Sequence, residues 1–511
     1  QPGIAVPAEF AAVQWSAEDA AVALLRARLT GLGPATAAAL AESLGIAPLA
    51  ADMALLKLQS QGYAMQGRFS PAGAEEWCER HLLARIHRYT LRRLRREIEP
   101  VAPRDFMRFL FDWQRVSPQA QVSGPEALAG VLAQLEGYEA PAAAWEGELL
   151  PARVRDYSIA WLDDLCTAGR TLWTRLRATP ALAEAGAARG NGSLRGTPVL
   201  LLPRRSVPHW TALAPPATED AALSSRAQKV ADFLATHGAS FFDEIAGGTR
   251  LLRTELEDAL AELVGRGRVH CDSFAGLRAL LVPASKRPSG HGRRRAMMLG
   301  IEDAGRWALV RRAASAAAET GDASRPGAGG ARAARPDPEA VEHVARVLLR
   351  RYGVVCWRVL EREAAWLPPW RELLRVYHRL EARGEVRGGR FIDGLSGEQF
   401  ALPEAIGLLR KARQKPDDGT LVCVSALDPL NLAGTVVAGS KVARIPGARV
   451  LYRDGMPVAA LVAGQVEYLA ELPADAAEAA RRTLLREPAP AWLAPAFPAE
   501  GIGAPADAAA R

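Results

Sequence analysis

The 511-residue sequence contains no GxxxxGK[ST] segment, so it lacks the phosphate-cradling loop of ATP-driven motors. Its five cysteines are scattered without a CxxC pair, which disfavours a zinc ribbon or a disulfide framework. None of the eight histidines has a cysteine or carboxylate at metal-ligand spacing, and no GxSxG nucleophile motif occurs. We therefore predict reduced, mostly buried thiols and neither a metal nor a cofactor.

Lysine is scarce and long hydrophobic runs are missing. Arginine supplies most of the 64 basic residues, and a net charge of +7 with a pI near 9.3 favours an anionic partner. The most apolar stretch, Leu421 to Val437, is interrupted by Asp428, Pro429 and Asn431, so we predict no membrane span. The sequence begins at Gln1 without a charged and then apolar leader, so we expect no signal peptide in it. It also lacks an initiator methionine, and we interpret it as a fragment of a longer protein.

A short pattern recurs along the chain: leucine, three residues, glycine, six residues, phenylalanine. Because helical periodicity precedes each copy and β-prone residues follow it, we predict that the leucine closes a helix and the glycine takes the left-handed C-cap. The last residue would then anchor a hairpin to the core. Irregular intervals between copies predict tandem small domains rather than a solenoid. The copies are Leu58, Gly62 and Phe69; Leu263, Gly267 and Phe274; Leu380, Gly384 and Phe391; and Leu165, Gly169 and Leu176, where leucine replaces phenylalanine.

The predicted fold class is α+β, with tandem winged-helix domains followed by a small β-barrel. In the connector we expect strands at Thr197 to Leu202 and at Val207 to Leu213. The predicted boundaries are a winged helix at 1–74, an arginine-rich long helix with a second winged helix at 75–178, a β connector at 179–216, a winged helix at 217–283, a basic Gly/Pro/Arg-rich segment and linker at 284–337, a winged helix at 338–414, the β-barrel at 415–487 and a disordered tail at 488–511.

Two predicted helices carry arginine stripes. One runs from about Glu75 to Ile98, and the other from about Trp370 to Arg383, where arginine recurs at every fourth position. A basic helix followed by a glycine-turned hairpin is typical of a winged helix, whose helix meets DNA and whose hairpin is the wing. Solvated helix faces paired with Glu372, Glu381 and Glu385 are the alternative. The predicted DNA-binding residues are Arg85, Arg88, Arg92, Arg95, Arg371, Arg375, Arg379 and Arg383.

The triplet Asp112, Trp113 and Gln114 closes another predicted helix and is the candidate catalytic site. A base-excising pocket needs an aromatic ring that stacks on the extruded base, an amide that reads its edge, and a carboxylate that steadies an oxocarbenium-like sugar or orients water. The residues Asp112 and Gln114 would be catalytic, and Trp113 would stack. A buried tryptophan with a capping aspartate fits the same three residues.

Several long stretches of the chain resemble one known family. They look like the C-terminal region of the large helicase-related proteins, Lhr, and together they extend over nearly the whole chain except the linker and tail. The stretches are EEWCERHLLARIHRYTLRRLRREIEPV (Glu75 to Val101), DFMRFLFDWQRV (Asp105 to Val116), LLPARVRDY (Leu149 to Tyr157), WLDDLC (Trp161 to Cys166), EQFALPEA (Glu398 to Ala405), and SALDPLNLAG with RVLYRDGMPVA (Ser425 to Ala459).

The resemblance implies a bacterial, cytoplasmic and nucleoid-associated protein whose N-terminal part is an ATP-driven helicase core. It further implies a fold similar to the AlkZ group of DNA glycosylases, uracil excision, and assembly into a tetramer. AlkZ-like enzymes carry a glutamine, a hydrophobic residue and a second glutamine. Here Asp112, Trp113 and Gln114 match that motif in order, with a carboxylate in place of the first glutamine.

Two functions follow from these observations. The first is a metal-independent DNA glycosylase acting on uracil or another damaged base in single-stranded or damaged duplex DNA. The second is a non-catalytic module that grips DNA and assembles subunits around the helicase. A transcription factor is disfavoured, because the arginine stripes offer phosphate contacts but few Asn or Gln for base edges.

Overall fold

The computed structural model describes residues 14–71, 73–96, 98–176, 196–214, 223–281, 301–302, 304–310 and 336–486. The chain divides into two compact units, Gln1–Glu99 and Pro100–Arg511. The predicted tail and most of the predicted linker lie outside the described residues. Among the described helices, none is by itself long and apolar enough to cross a membrane; Ala37–Leu44 and Pro48–Ser60 pass such a test only together, across a 115° bend.

The first unit has three helices followed by an antiparallel strand pair and a long helix. The hydroxyl of Ser16 caps the first helix and that of Thr36 the second, each accepting a backbone N–H three residues on. Proline opens the third helix, where its missing N–H is not needed. The elements are α1 Ala17–Gly31, α2 Ala37–Leu44, α3 Pro48–Ser60, β1 Ala64–Gly67, β2 Glu76–Glu79 and α4 Arg80–Arg96.

The long helix begins later than its sequence predicts. We expected it from Glu75, but Glu76–Glu79 pair with β1 as strand β2, and α4 starts at Arg80. The carboxylate of Glu79 then accepts the N–H groups of His81 and Leu82 at 2.8 and 2.6 Å, which caps the helix. This helix lies in the first compact unit, not with the residues after Glu99 as the predicted 75–178 grouping had it.

The second unit opens with a winged-helix domain. Its sheet has the order β4-β7-β6, with antiparallel pairing throughout. The elements are α5 Pro103–Trp113, β3 Val122–Ser123, α6 Pro125–Gln134, β4 Ala140–Pro141, α7 Ala142–Ala144 continuing as a π-helical turn Trp145–Leu149, β5 Val154–Arg155, α8 Ile159–Thr167, β6 Thr171–Thr174, β7 Pro198–Pro203 and α9 Val207–Leu213.

The predicted strand at Val207 to Leu213 is wrong, because this segment is helix α9. Pro208 occupies its first turn, where proline is compatible with a helix. Trp210 is buried and its indole N–H donates to Glu136 at 2.9 Å. Burial of this tryptophan outweighs the local β propensity of the segment.

The next domain departs from the prediction at its wing. Helix α13, not a hairpin, follows β9, and the partner strand β10 lies within the segment 284–337 that was predicted to be basic and linker-like. Trp307 of β10 is buried and pairs with both Ser240 and Cys271, so the domain extends past its predicted end at residue 283. The elements are α10 Ser225–His237, β8 Ser240–Phe241, α11 Phe242–Thr249, α12 Arg253–Gly265, β9 Val269–Cys271, α13 Phe274–Leu281 and β10 Arg306–Leu309.

The following domain has the predicted order of helices and wing strands. Its three-stranded sheet is β11-β13-β12. The buried amide of Gln399 shapes the wing loop by accepting the N–H groups of Phe391 and Ile392 and donating to the carbonyl of Ile392. The elements are α14 Pro338–Tyr352, β11 Val354–Val355, α15 Trp357–Leu360, α16 Trp370–Ala382, β12 Arg387–Gly389, β13 Gln399–Ala401 and α17 Pro403–Gln414.

The last domain is an open antiparallel sheet, with strand order β14-β15-β16-β17. The predicted barrel is not found, because the first and last of these four strands do not pair with each other in the described part of the chain. Helix α18 packs on β15 and β16, burying Leu451, Ala480 and Leu484. The elements are β14 Leu421–Ser425, β15 Arg449–Arg453, β16 Met456–Val462, β17 Gln465–Tyr468 and α18 Ala474–Leu485.

The prediction of four glycine C-caps is confirmed. Gly62, Gly169, Gly267 and Gly384 all have φ between 64° and 78°. At each one, the N–H of the next residue donates to the carbonyl of the repeat's leucine at 2.9 or 3.0 Å, the bond of a Schellman motif. The prediction for the last residue fails in one copy, where Phe274 begins helix α13 instead of following a hairpin strand.

Candidate functional site: a cleft beside helix α5

A cleft of about 650 Å³ lies between the ends of α5 and α14 and one face of α17. This volume is within the range of small-ligand sites. Apolar side chains such as Phe109 and Leu408 supply part of its wall. The lining residues are Phe109, Asp112, Trp113, Arg115, Gly130, Gln134, Arg350, Leu402, Glu404, Leu408, Lys411, Ala412 and Lys415.

Positive charge predominates around this cleft. Its charged lining consists of four cations and two carboxylates: Arg115, Arg350, Lys411 and Lys415 with Asp112 and Glu404. Lys411 on α17 and Lys415 just after it are exposed, and they form no ion pair within the described residues. An apolar wall beneath a cationic rim suits a ligand that joins a flat ring to a phosphate.

Asp112 is the predicted carboxylate, and it lies exposed on the cleft wall. The hydroxyl of Ser117 donates a hydrogen bond to its Oδ1, which fixes the carboxylate relative to the turn after α5. The second carboxylate oxygen therefore stays available to a water molecule or a sugar. This position is compatible with the role predicted for Asp112.

Trp113 also lines the cleft, but much of its ring is used for packing. It lies 5.5 Å from Phe109 between ring centroids, and its indole N–H donates to the carbonyl of Arg350 at 2.9 Å. Gly353, at φ +67°, approaches so closely that a Cβ there would lie 3.1 Å from the ring. A base can therefore meet only the part of Trp113 that faces the cleft.

Gln114 points away from the cleft and is fully buried. Its Nε2 donates to the carbonyl of Arg351 at 2.9 Å, and its Oε1 accepts Nη2 of Arg153 at 2.8 Å. Both ends of the amide are thus occupied, and none of it is free to read a base edge. We assign Gln114 a structural role in place of the catalytic role predicted from sequence.

Together, Trp113 and Gln114 cap the C-terminus of α14. The carbonyls of Arg350 and Arg351 belong to its last turn, where no intrahelical donor reaches them. The two side chains supply the missing donors and so join α5 to α14. The triplet is therefore divided: Asp112 faces the cleft, Gln114 faces the core, and Trp113 contacts both.

A buried ion pair behind Gln114 was not predicted. Arg153 and Asp428 are buried, and two hydrogen bonds of 2.7 and 2.9 Å join the guanidinium to the carboxylate. Asp428 also accepts the N–H of Leu430 at 2.9 Å. The signal was present in the sequence, because Arg153 lies in LLPARVRDY and Asp428 in SALDPLNLAG, where a charge interrupts an apolar run.

Arg115 is a second cleft residue that the sequence argument missed. Its backbone is left-handed, at φ 62°, a conformation that costs a non-glycine residue about 1 kcal/mol. Strain of this kind concentrates at functional sites. A lone arginine after a helix gave no sequence signal for it.

The arginine stripe on α16 is only partly available for a ligand. Arg375 pairs with Glu372 at 2.9 Å, and Arg383 pairs with Glu342 and Glu385. Arg371 lies 3.6 Å from Glu372. Arg379 is exposed and has no ion pair among the described residues.

The stripe on α4 belongs to the first unit. Arg85, Arg88 and Arg92 are exposed, and the described structure contains no ion pair for them. Arg95 is only partly exposed and has contacts of its own. In the described ranges, no three or more His, Cys, Asp or Glu side chains are grouped so as to hold a metal ion.

The two domains that form this cleft both match models of a known protein family. Models of the large helicase-related protein, winged-helix domain, match residues 101–193 and 334–421, which contain α5 and α14 to α17. The "Lhr helicase/ probable uracil glycosylase" of Mycolicibacterium smegmatis is 29% identical over an alignment of 495 residues that covers 90% of this chain. Two of its domains are therefore Lhr-type winged-helix domains. The "Lhr helicase/uracil glycosylase" of Escherichia coli is 26% identical over 75% of the chain.

The Lhr relatives are much longer than the sequence described here. The matched regions cover 29% of the Mycolicibacterium protein and 25% of the Escherichia coli protein. Within this chain, the two Lhr-type domains contain Asp112 and the arginine stripe of α16.

Proposed function

We propose that this chain is the DNA-binding region of an Lhr-type repair helicase, and that it acts as a monofunctional, metal-independent DNA glycosylase on uracil or another damaged base. The observation that carries the proposal is the cleft, where an exposed carboxylate lies between an apolar wall and a cationic rim. The names of both relatives support uracil as the substrate. An AlkZ-like mode of base excision and a helicase core elsewhere in the full protein are parts of the same proposal.

In this mechanism the damaged nucleotide leaves the DNA stack and its base enters the cleft. Lys411, Lys415 and Arg115 hold the flanking phosphates, and the exposed part of Trp113 contacts the base. Phosphate contacts position the strand and carry no sequence information, so specificity comes from the cleft itself.

Asp112 acts on the sugar. As the N-glycosidic bond breaks, positive charge develops on the sugar and is stabilised by the nearby carboxylate. A water oxygen bonds to the anomeric carbon, one of its protons passes to Asp112, and the base leaves with the bonding electrons and takes up a proton. The hydroxyl of Ser117 keeps the carboxylate oriented during this step.

Base excision should be measured with EDTA present, on single-stranded and duplex oligonucleotides that contain one uracil, with alkali to reveal abasic sites. We expect wild-type protein to form abasic product and Asp112→Asn to lose it about 100-fold or more while DNA binding is retained. Glu478→Gln, which removes an exposed carboxylate that is not a cleft residue, is the matched control. If Asp112→Asn forms abasic product at the wild-type rate, Asp112 is not a catalytic residue.

A non-catalytic role in DNA binding and subunit assembly is the second candidate. An exposed apolar stripe on α3 favours it: Leu49, Met53 and Leu56 are 74%, 63% and 51% exposed. Apolar side chains at this spacing form one helix face, and such faces mark protein contacts. This candidate is favoured if the wild-type protein binds DNA and self-associates but forms no product on any damaged base tested. The tetramer implied by the family resemblance belongs to it.

A further inference from the structure

Helix α4 presents an exposed face that carries positive charge and no negative charge. From Arg80 to Arg96 the sequence contains seven arginines and neither aspartate nor glutamate. Arg85 and Arg92 are exposed and form no ion pair with any described residue. A solvated helix of a stable protein usually mixes both signs of charge, so this face is complementary to a polyanion.

An aromatic side chain lies among these arginines. Tyr89 is 70% exposed, and its side chain forms no hydrogen bond, ring stacking or cation–π contact with a described residue. In the same unit Tyr63 is covered by the guanidinium of Arg26, 4.7 Å from its ring centroid, and its hydroxyl donates to the carbonyl of Arg26. Tyr89 has no such contact, although an aromatic ring gains free energy by leaving water.

The spacing places the ring between two cations. Arg85, Tyr89 and Arg92 follow one another at i, i+4 and i+7, which is a single stripe along the helix. The two arginines are separated by seven residues, or roughly 10 Å along the axis. A nucleic-acid strand that crosses this stripe can contact the arginines with phosphates on either side of one base.

We propose that α4 binds single-stranded DNA by stacking an unpaired base on Tyr89, between phosphates contacted by Arg85 and Arg92. The proposal rests on the DNA-binding function proposed above and adds a preference of α4 for single-stranded over duplex DNA. Bases in a duplex stack on each other and hide their faces, so only an unpaired base offers a face to the tyrosine. The arginines alone would bind either form.

The test is fluorescence anisotropy with the full chain, using oligo-dT and a hairpin duplex of equal phosphate number at two salt concentrations. For Tyr89→Ala we expect about tenfold weaker binding of oligo-dT and less than twofold change for the hairpin. Tyr89→Phe keeps the ring and should match wild type on both probes. Arg85→Gln should reduce the salt slope on oligo-dT by about 0.7.

The outcomes separate this proposal from the one on which it rests. If wild type binds neither probe, the DNA-binding function fails and this inference fails with it. If wild type binds both probes but Tyr89→Ala loses nothing, or loses equally on both, the stacking inference alone is wrong, and the face belongs to duplex DNA or to a protein partner. A Tyr89-dependent preference for oligo-U over oligo-dT would assign the helix to RNA and overturn the proposal.

Discussion

Three consecutive residues at the end of α5 have three different surroundings. Asp112 meets solvent in the cleft, Trp113 lies at the cleft wall, and Gln114 is buried behind it. Sequence alone does not separate their surroundings, because residues at the C-terminal end of a helix point in directions set by the turn that follows. That turn includes the left-handed Arg115.

We expect Gln114→Ala to lower stability rather than to impair catalysis selectively. The substitution leaves Nη2 of Arg153 without one acceptor and the carbonyl of Arg351 without its donor, both in a buried site. The expected loss is about 2–4 kcal/mol in the free energy of unfolding. Gln119→Ala, at an exposed glutamine, should change it by less than about 0.5 kcal/mol.

Urea denaturation of the three proteins measures this difference. If Gln114→Ala unfolds at the wild-type urea concentration and yet loses base excision, the amide contacts the substrate and our reassignment of Gln114 is wrong.

Glu136 should make stability depend on pH. Burial alone would raise the pKa of Glu136, but hydrogen bonds from His343 and Trp210 outweigh it and lower the pKa below the ordinary value of 4.5. A lowered carboxyl pKa gives stability that is complete above the unfolded value and is lost as the pH falls through the folded value. Glu136→Gln, which imitates the protonated acid, should therefore destabilise the protein at pH 7 and lose this effect as the pH falls through the lowered pKa of Glu136.

The measurement is the difference between the urea midpoints of wild type and Glu136→Gln at each pH, which cancels the titration of other groups. An equal difference at pH 7 and at pH 3.5 would contradict the role of the Glu136 charge.

At the scale of elements, the last sheet meets α5 through the turn between β15 and β16. A Cβ added to Gly455 would lie 2.1 Å from the carbonyl oxygen of Arg104, so only glycine permits this approach. The same turn needs a positive φ, which is 84° at Gly455.

Gly455→Ala should therefore separate the sheet from α5 at this point. We expect a loss of about 3 kcal/mol or more, from backbone strain together with the clash. Gly464→Ala is the matched control, because Gly464 has φ 80° in the next turn and nothing within 4 Å of its added Cβ. It should lose only about 1 kcal/mol, from backbone strain alone. Thermal unfolding compares the two, and equal losses would mean that the contact contributes nothing.

For the whole molecule, local signals predicted local structure well. The spacing of leucine and glycine identified four helix ends, because a left-handed cap depends on only a few neighbouring residues. The wing strand β10 was missed because its partners Ser240 and Cys271 are far away in sequence. Helix α9 was missed for the same reason. The contact of its Trp210 with Glu136 is also long-range, and local β propensity alone predicts a strand there.

The candidate site was only half predictable for the same reason. Asp112 and Trp113 could be nominated from α5 alone, whereas the cleft also needs Arg350, Leu408 and Lys411 from a domain more than 200 residues later. No periodicity connects these positions. The buried pair of Arg153 and Asp428 needed the same long-range information.

The central claim is that a nucleobase enters the cleft beside Asp112, and disulfide trapping tests it most directly. Leu408→Cys, in the Asp112→Asn protein, would place a thiol at a cleft position that is 43% exposed. Four native cysteines are buried, and the fifth, Cys423, is only partly exposed with its pKa raised by burial to about 11, so they should react slowly.

The measurement is the yield of cross-linking to an oligonucleotide whose target pyrimidine carries a thiol tether. We predict efficient trapping by Leu408→Cys and little by Leu49→Cys, an exposed position on α3 in the first unit. Equal yields at the two positions, or trapping at Leu49→Cys alone, would contradict the assignment of the cleft.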